Sequence, residues 1–184
     1  MLQKIQNEID SLPDNFIVGI VTKSDKYEKV NLHILNMMLH QKGHFGGYVA
    51  VNRPYKNMVE LLTNQNMDFS NLFFIDCITQ KLGGRITNDE NCVYINSPSN
   101  LTDLAIALHN FAIAEVNAKK FLMIDSISTL LIHNDHETVQ KFIHYLTGKI
   151  RLWGLKGVMI TLHEETDEKL IAELSQFCDK IIRV

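Results

Sequence analysis

The sequence predicts an α/β fold in which a mostly parallel sheet lies between layers of helices. Three observations carry this expectation. Short apolar runs recur along the chain, helical spacings lie between them, and 46% of the 184 residues are hydrophobic, enough for one full core. The clearest run is Phe121-Leu122-Met123-Ile124, which leads into Asp125-Ser126. A continuous apolar run so short reads as a strand buried on both faces. An acid at its carboxyl end stands where open α/β sheets hold their ligands.

The elements follow in order. Leu2, Ile5, Ile9 and Leu12 space as a short edge helix that ends at Pro13-Asp14. A strand is expected over 16–21. Asp25 followed three positions later by Glu28 fits a helix-capping pattern, and Val30, Ile34, Leu35, Met38 and Leu39 supply the apolar face behind it. Further strands are expected over 48–52, 72–76 and 93–95. Residues 101–116 are apolar nearly all round, which predicts a helix buried on several sides. After the strand at 121–125, Val139, Phe142, Ile143, Leu146, Ile150 and Trp153 share one helix face, with Gly154 as its stop. A strand at 158–162, a helix carrying Leu170, Ile171, Leu174 and Phe177, and a strand at 181–184 complete the chain. There is no repeat, low-complexity tract or linker, so the expectation is a single domain over 1–184.

One stretch breaks the alternation. Residues 79–91 are irregular and hold Gly83-Gly84 between Lys81 and Arg85. Paired glycines read as a mobile hinge, and a long loop on a rigid sheet is a candidate partner-binding segment.

Composition narrows the function. Net charge is -3, and Lys119, Lys120, Lys149 and Arg151 are scattered without aromatic interleaving, so a nucleic-acid partner is not expected. No apolar run approaches the roughly 20 residues that cross a bilayer. The first residues do not read as a signal peptide, and a cytoplasmic location is expected. Cys77, Cys92 and Cys178 are odd in number and widely separated, which suits buried thiols in a reducing compartment better than disulfides or a zinc ribbon.

The eight histidines raise metal chemistry. His40 and His44 are four apart, but Gly43 and Gly46-Gly47 would break a helix there. His133, His136 and His163 fall at the same sheet edge as Asp125, where a mixed His/carboxylate site is conceivable. Their spacing matches no metal pattern, and Asp135 reads equally as a helix cap. No metal site is expected. Ser126 and Ser128 lack a Gly-x-Ser-x-Gly elbow. Arg53, Lys56 and Arg85 could gather at the carboxyl edge and bind an anion.

The order of elements, with Tyr48-Val49-Ala50-Val51, Ile75-Asp76, Phe121 through Ser126, Val158-Met159-Ile160-Thr161 and Cys178-Asp179-Lys180-Ile181-Ile182, resembles the core of the RecA/KaiC superfamily of ATPases. Its small archaeal KaiC-like members are the most similar, and the resemblance spans 16–184. It implies a P-loop NTPase-like fold, a RecA-like three-layer α/β/α sandwich. It sets Asp125 on the Walker B acid that holds a nucleotide's magnesium. A Walker A loop curls backbone N–H groups around phosphates, with a lysine for the β and γ phosphates and a hydroxyl for magnesium. Against that motif Lys29 falls on the lysine, but Lys23 and Glu28 fall on the glycines and Val30 on the hydroxyl. A carboxylate about 4 Å from a polyphosphate costs on the order of several kcal/mol at an effective dielectric near 20. The resemblance also places a catalytic glutamate after the second strand, where this chain has Asn52-Arg53-Pro54 and no base.

The expectation is therefore a KaiC-like domain with a degraded phosphate loop, a pseudo-ATPase with no catalytic residues and no cofactor. It would act as a regulatory or scaffolding module through a protein partner, self-association or pairing with an active homologue. The alternative is a divergent ATPase in which Lys29, Asp125 and Ser126 hold ATP and magnesium and an acid such as Glu164 serves as base. A further reading is a metal-dependent hydrolase built on the histidines and acids of the same edge.

Overall fold

The computed structural model describes residues 1–163 and 168–184. Its strands are β1 (Ile17–Thr22), β2 (Phe45–Ala50), β3 (Leu72–Asp76), β4 (Cys92–Tyr94), β5 (Lys120–Asp125), β6 (Lys156–Leu162) and β7 (Lys180–Arg183). They form one sheet in the order β4-β3-β2-β5-β6-β1-β7, and each neighbouring pair is parallel. The helices are α1 (Leu2–Asp10), α2 (Tyr27–Asn36), α3 (Tyr55–Asn64), α4 (Leu101–Ile113), α5 (Ile127–His133), α6 (His136–Trp153) and α7 (Glu168–Phe177).

Strand alternation divides the core in two. Val18, Ile20, Tyr48, Phe74, Met123 and Ile160 face α1, α2 and α3, while Ile17, Val49, Ile75, Leu122, Ile124 and Met159 face α4 to α7. With both faces covered, the central strands carry apolar side chains on each side, which is why they read as continuous runs. All strands being parallel, their carboxyl ends meet at one edge. The α/β layering is the one expected.

Three local expectations are corrected. The second strand starts at Phe45, not Tyr48, and takes in Gly46 and Gly47. A Cβ on Gly46 would meet the Phe121 ring at 2.5 Å, and one on Gly47 would meet Leu122 at 2.7 Å. These glycines give room for neighbouring side chains within the sheet and do not break a helix. That helix ends instead in a π turn (Met37–Gln41), with Gly43 at φ 63° reversing the chain into β2. Next, α4 is an outer-layer helix: Ile106 and Ile113 are 55% and 59% exposed, because only its inner face meets the sheet. Finally, Gly83-Gly84 is not a loose hinge. The Gly84 amide donates to the Thr79 carbonyl at 2.8 Å and the Gly83 amide to the Gln80 carbonyl at 3.0 Å, with Gly83 at φ 73°. This pair of bonds is a Schellman closure.

Helix ends that depend on one residue came out as expected. Asp135 caps α6 by accepting from the Thr138 amide, and Gly154 ends it at φ 66°. Gly154→Ala is expected to cost about 1 kcal/mol, since a Cβ is strained in the left-handed region. Urea unfolding of the variant checks this.

No helix among the described residues is long and apolar enough to cross a membrane. All three cysteines are free. Burial pushes the thiols of Cys92 and Cys178 up to about 12, and Cys77 is raised as well.

Candidate functional site at the carboxyl edge

Asp125 ends β5 at the centre of this edge and is 1% exposed. Its carboxylate is occupied by the protein's own donors. The Tyr27 hydroxyl donates to one oxygen and the Tyr48 hydroxyl to the other. The Asn31 amide also donates to the second oxygen at 2.9 Å. Tyr27 and Asn31 are four residues apart on the first turns of α2 and so lie on one helix face. Tyr48 comes from the neighbouring strand β2, whose register places it two residues before the Ala50–Asp125 pair. Three donors take most of the roughly four lone-pair sites of a carboxylate. Burial pushes the Asp125 pKa up, while the Tyr27 and Tyr48 hydroxyls, Arg53 and Asn31 pull it back. Burial raises both phenols in turn, and the neighbouring Asp125 charge adds to it.

Neighbouring hydroxyls and amides brace this arrangement. Asn52 donates to the Tyr27 hydroxyl at 3.5 Å and to the Ser126 hydroxyl at 3.2 Å, and it accepts from Thr129. Ser126 is the N-cap of α5 and meets Thr129 at 2.9 Å and Ser128 at 3.1 Å. Ser128 in turn accepts the Leu162 amide at 3.2 Å. The residue at the position expected for a base thus serves as a hydrogen-bond bridge between β2, α2 and α5. Asp76, at the end of β3, is filled in the same way. It takes the amides of Tyr55, Ile78 and Thr79 at 2.7–2.8 Å and the Thr79 hydroxyl at 2.5 Å.

Lys29 and Asp125 are not brought together by any bond among the described residues. Lys29 is exposed on α2, and Asp125 feels the charge of Arg53. Val30 is fully buried, as an apolar-face residue should be. The expected capping of α2 by Asp25 and Glu28 is not found. Lys26 is the N-cap with no side-chain bond, and Glu28 pairs with Arg53 at 3.0 Å instead. The helix is entered through a turn, with the Lys26 amide on the Lys23 carbonyl at 3.0 Å, which leaves Glu28 on the first helical turn to reach across to Arg53 in the connection before α3. Tyr27 and Arg53 line a shallow cleft of about 580 Å³ above this edge.

The histidines do not converge. His136 pairs with the buried Glu173 at 3.0 Å, and no group of three or more His, Cys, Asp or Glu able to hold a metal forms among the described residues. Glu164 lies outside the described residues. Of the loop candidates, Lys81, Gly83, Gly84 and Arg85 are all exposed. Arg85 shares a pocket with Lys56, whereas Arg53 is drawn away to Glu28.

Sequence reasoning missed Tyr27, Asn31, Tyr48 and Thr129. The available signal was Tyr48 inside an otherwise apolar strand, since a buried phenol needs a partner. The i, i+4 pair Tyr27 and Asn31 on the inner face of α2 was the other.

Several solved structures share this architecture. A KaiC-like protein from the hyperthermophilic archaeon Pyrococcus horikoshii matches with TM-score 0.67 at 14% identity, over 94% of this chain and 73% of its own. An uncharacterised protein of the same organism, crystallised with an unknown peptide, matches with TM-score 0.68 at 13% identity over 98% and 82%. The flagellar accessory protein FlaH of Methanocaldococcus jannaschii gives TM-score 0.61 at 13% identity over 98% and 76%. At such identities the likeness is one of fold, and the fold is RecA/KaiC-like. The model of a family of unknown function, DUF7504, matches residues 51–184. Among curated proteins there is no match.

Proposed function

We propose that this chain, which belongs to the DUF7504 family, is a RecA/KaiC-like domain that works without ATP hydrolysis, as a regulatory or scaffolding module acting through protein contacts. The observation that carries this reading is the Tyr27 hydroxyl on the Asp125 carboxylate. A Walker B acid must offer an oxygen toward a magnesium ion beside the phosphate loop. Here a side chain from the start of α2 takes that oxygen, and Asn31 and Tyr48 take the other. Val30 in place of a metal-binding hydroxyl and Asn52 in place of a base support the same reading. The module would need neither nucleotide nor metal. The three free cysteines suit the reducing cytoplasm proposed for it.

Thermal unfolding with millimolar Mg-ATP tests this. A ligand at 100 times its dissociation constant adds about 2.7 kcal/mol of stability. For a domain of this size that moves the melting point by several degrees, at about 2–4 °C per kcal/mol. The expected shift is under about 1 °C. A clear shift that disappears in Lys29→Ala would instead show nucleotide held at Lys29 and sink this reading.

A further inference from the structure

A pocket of about 200 Å³ lies between α3 and the loop 79–91, lined by Lys56, Asn57, Thr79, Arg85, Thr87 and Tyr94. Lys56 and Arg85 have no carboxylate partner among the described residues, in a chain whose net charge is negative. Glu60 and Glu90, four and five positions along the chain from Lys56 and Arg85, form no ion pair with them among the described residues, and Asp76 and Asp89 are already occupied. Asp76 is fully buried under four donors, and Asp89 holds the Tyr55 hydroxyl at 2.6 Å and the Asn91 amide at 2.9 Å. Thr87 and Tyr94 share one hydrogen bond of 2.8 Å between their hydroxyls. Beside Arg85 the loop exposes Leu82 (67%) and Ile86 (48%).

We infer that this pocket receives the carboxylate of an acidic side chain on an extended partner peptide, held between Lys56 and Arg85, with an apolar neighbour of that residue resting on Leu82 and Ile86. A carboxylate answers two cations without a carboxylate partner, and the exposed leucine and isoleucine ask for an apolar residue beside it. The Schellman closure at Thr79–Gly84 fixes the base of the loop, so that Arg85 is presented from a defined point. This inference rests on the protein-contact reading and names the chemistry of the partner.

The test uses the full chain and a blocked peptide, acetyl-Gly-Glu-Ile-Gly-amide, followed by amide chemical shifts. Saturable shifts are expected at residues 56–57 and 84–88. The peptide with Gln for Glu should bind about tenfold more weakly, as should the Glu peptide to a Lys56→Gln/Arg85→Gln variant of unchanged melting point. Equal binding of the Glu and Gln peptides overturns the proposal. So does binding of inorganic phosphate at these residues without binding of the peptide, which would make the pocket a small-anion site. Mg-ATP, as a separate arm, reports on the other reading: shifts confined to residues 23–30 would sink the non-hydrolytic assignment while leaving the pocket's own result intact.

Discussion

Replacing Asp125 by alanine is expected to lower stability by about 2–5 kcal/mol, well beyond the loss of one cap. Two buried donors are left with poorer partners: the hydroxyl of Tyr48, which is fully buried, keeps only the Met58 sulfur at 3.8 Å as an acceptor, and the amide of Asn31, which is 4% exposed, keeps only its bond to the Tyr48 hydroxyl at 2.8 Å. A buried donor left without a good acceptor, as Tyr48 is here, costs roughly 1–3 kcal/mol. Tyr27 loses its acceptor too, and with it the bond that ties the start of α2 to β5. Against this stands one gain, since the variant no longer buries a carboxylate, which is the group whose pKa burial raises. Removing one partner of a buried hydrogen-bonded charge nonetheless destabilises in general, because the remaining groups stay unsatisfied. Asp125→Asn keeps the shape and one acceptor oxygen and should fall between wild type and alanine. Urea unfolding of the three proteins, with and without magnesium, measures the effect. A loss under about 1 kcal/mol, or magnesium uptake by the wild type alone, would show that the cage is not what Asp125 is for.

The fold was legible because its signals are local. Phe121 to Ile124, Val158 to Ile160 and the helix face from Val139 to Trp153 each declare their period within a few residues. Gly154 and Asp135 marked their helix ends for reasons that involve no distant neighbour. The site was only half legible. Asp125 stood out as an acid at the end of an apolar strand, but its partners come from α2 and β2, 77 to 98 residues earlier. Their meeting depends on strand order, which spacing does not encode. Gly46 and Gly47 failed for a related reason. As punctuation they suggest a break, yet they sit inside β2 because Phe121 and Leu122 of the next strand occupy the space of their side chains. The capping pattern at Asp25 and Glu28 was locally sound and lost to a tertiary partner, Arg53, which the fold brings to Glu28.

Stability is expected to fall by about 2 kcal/mol between pH 7 and pH 5, and His44→Phe should abolish most of that fall. His44 lies just before β2 and is 6% exposed, with its Nδ1 atom buried and unpartnered. Burial, together with the positive charges of Lys156, Lys42 and Lys119, lowers its pKa to about 4, and Asp14 offsets this only in part. The sign follows from where the proton binds. In the unfolded chain His44 takes up a proton near pH 6.5, whereas in the folded chain it resists protonation until about pH 4. Between those values the unfolded state binds more protons, so stability rises with pH and is lost as pH drops through the window. His33, whose pKa burial also lowers, contributes in the same direction, so the wild-type loss is not His44's alone. Asp14 acts lower down. Its pKa is held at about 2 by hydrogen bonds from Lys119 and Lys156, so its contribution fades only below the usual carboxylate range. The two windows are therefore separable on one titration. Phenylalanine keeps the bulk of the ring and cannot take a proton beside three lysines, so the variant's stability should fall far less from pH 7 to pH 5, with His33 still lowering it and the raised carboxyl of Asp125 acting in the opposite sense. Urea midpoints taken at half-unit steps measure this. A variant with the same slope as wild type would mean that His44 finds water or a partner when folded, and that the acid sensitivity arises elsewhere.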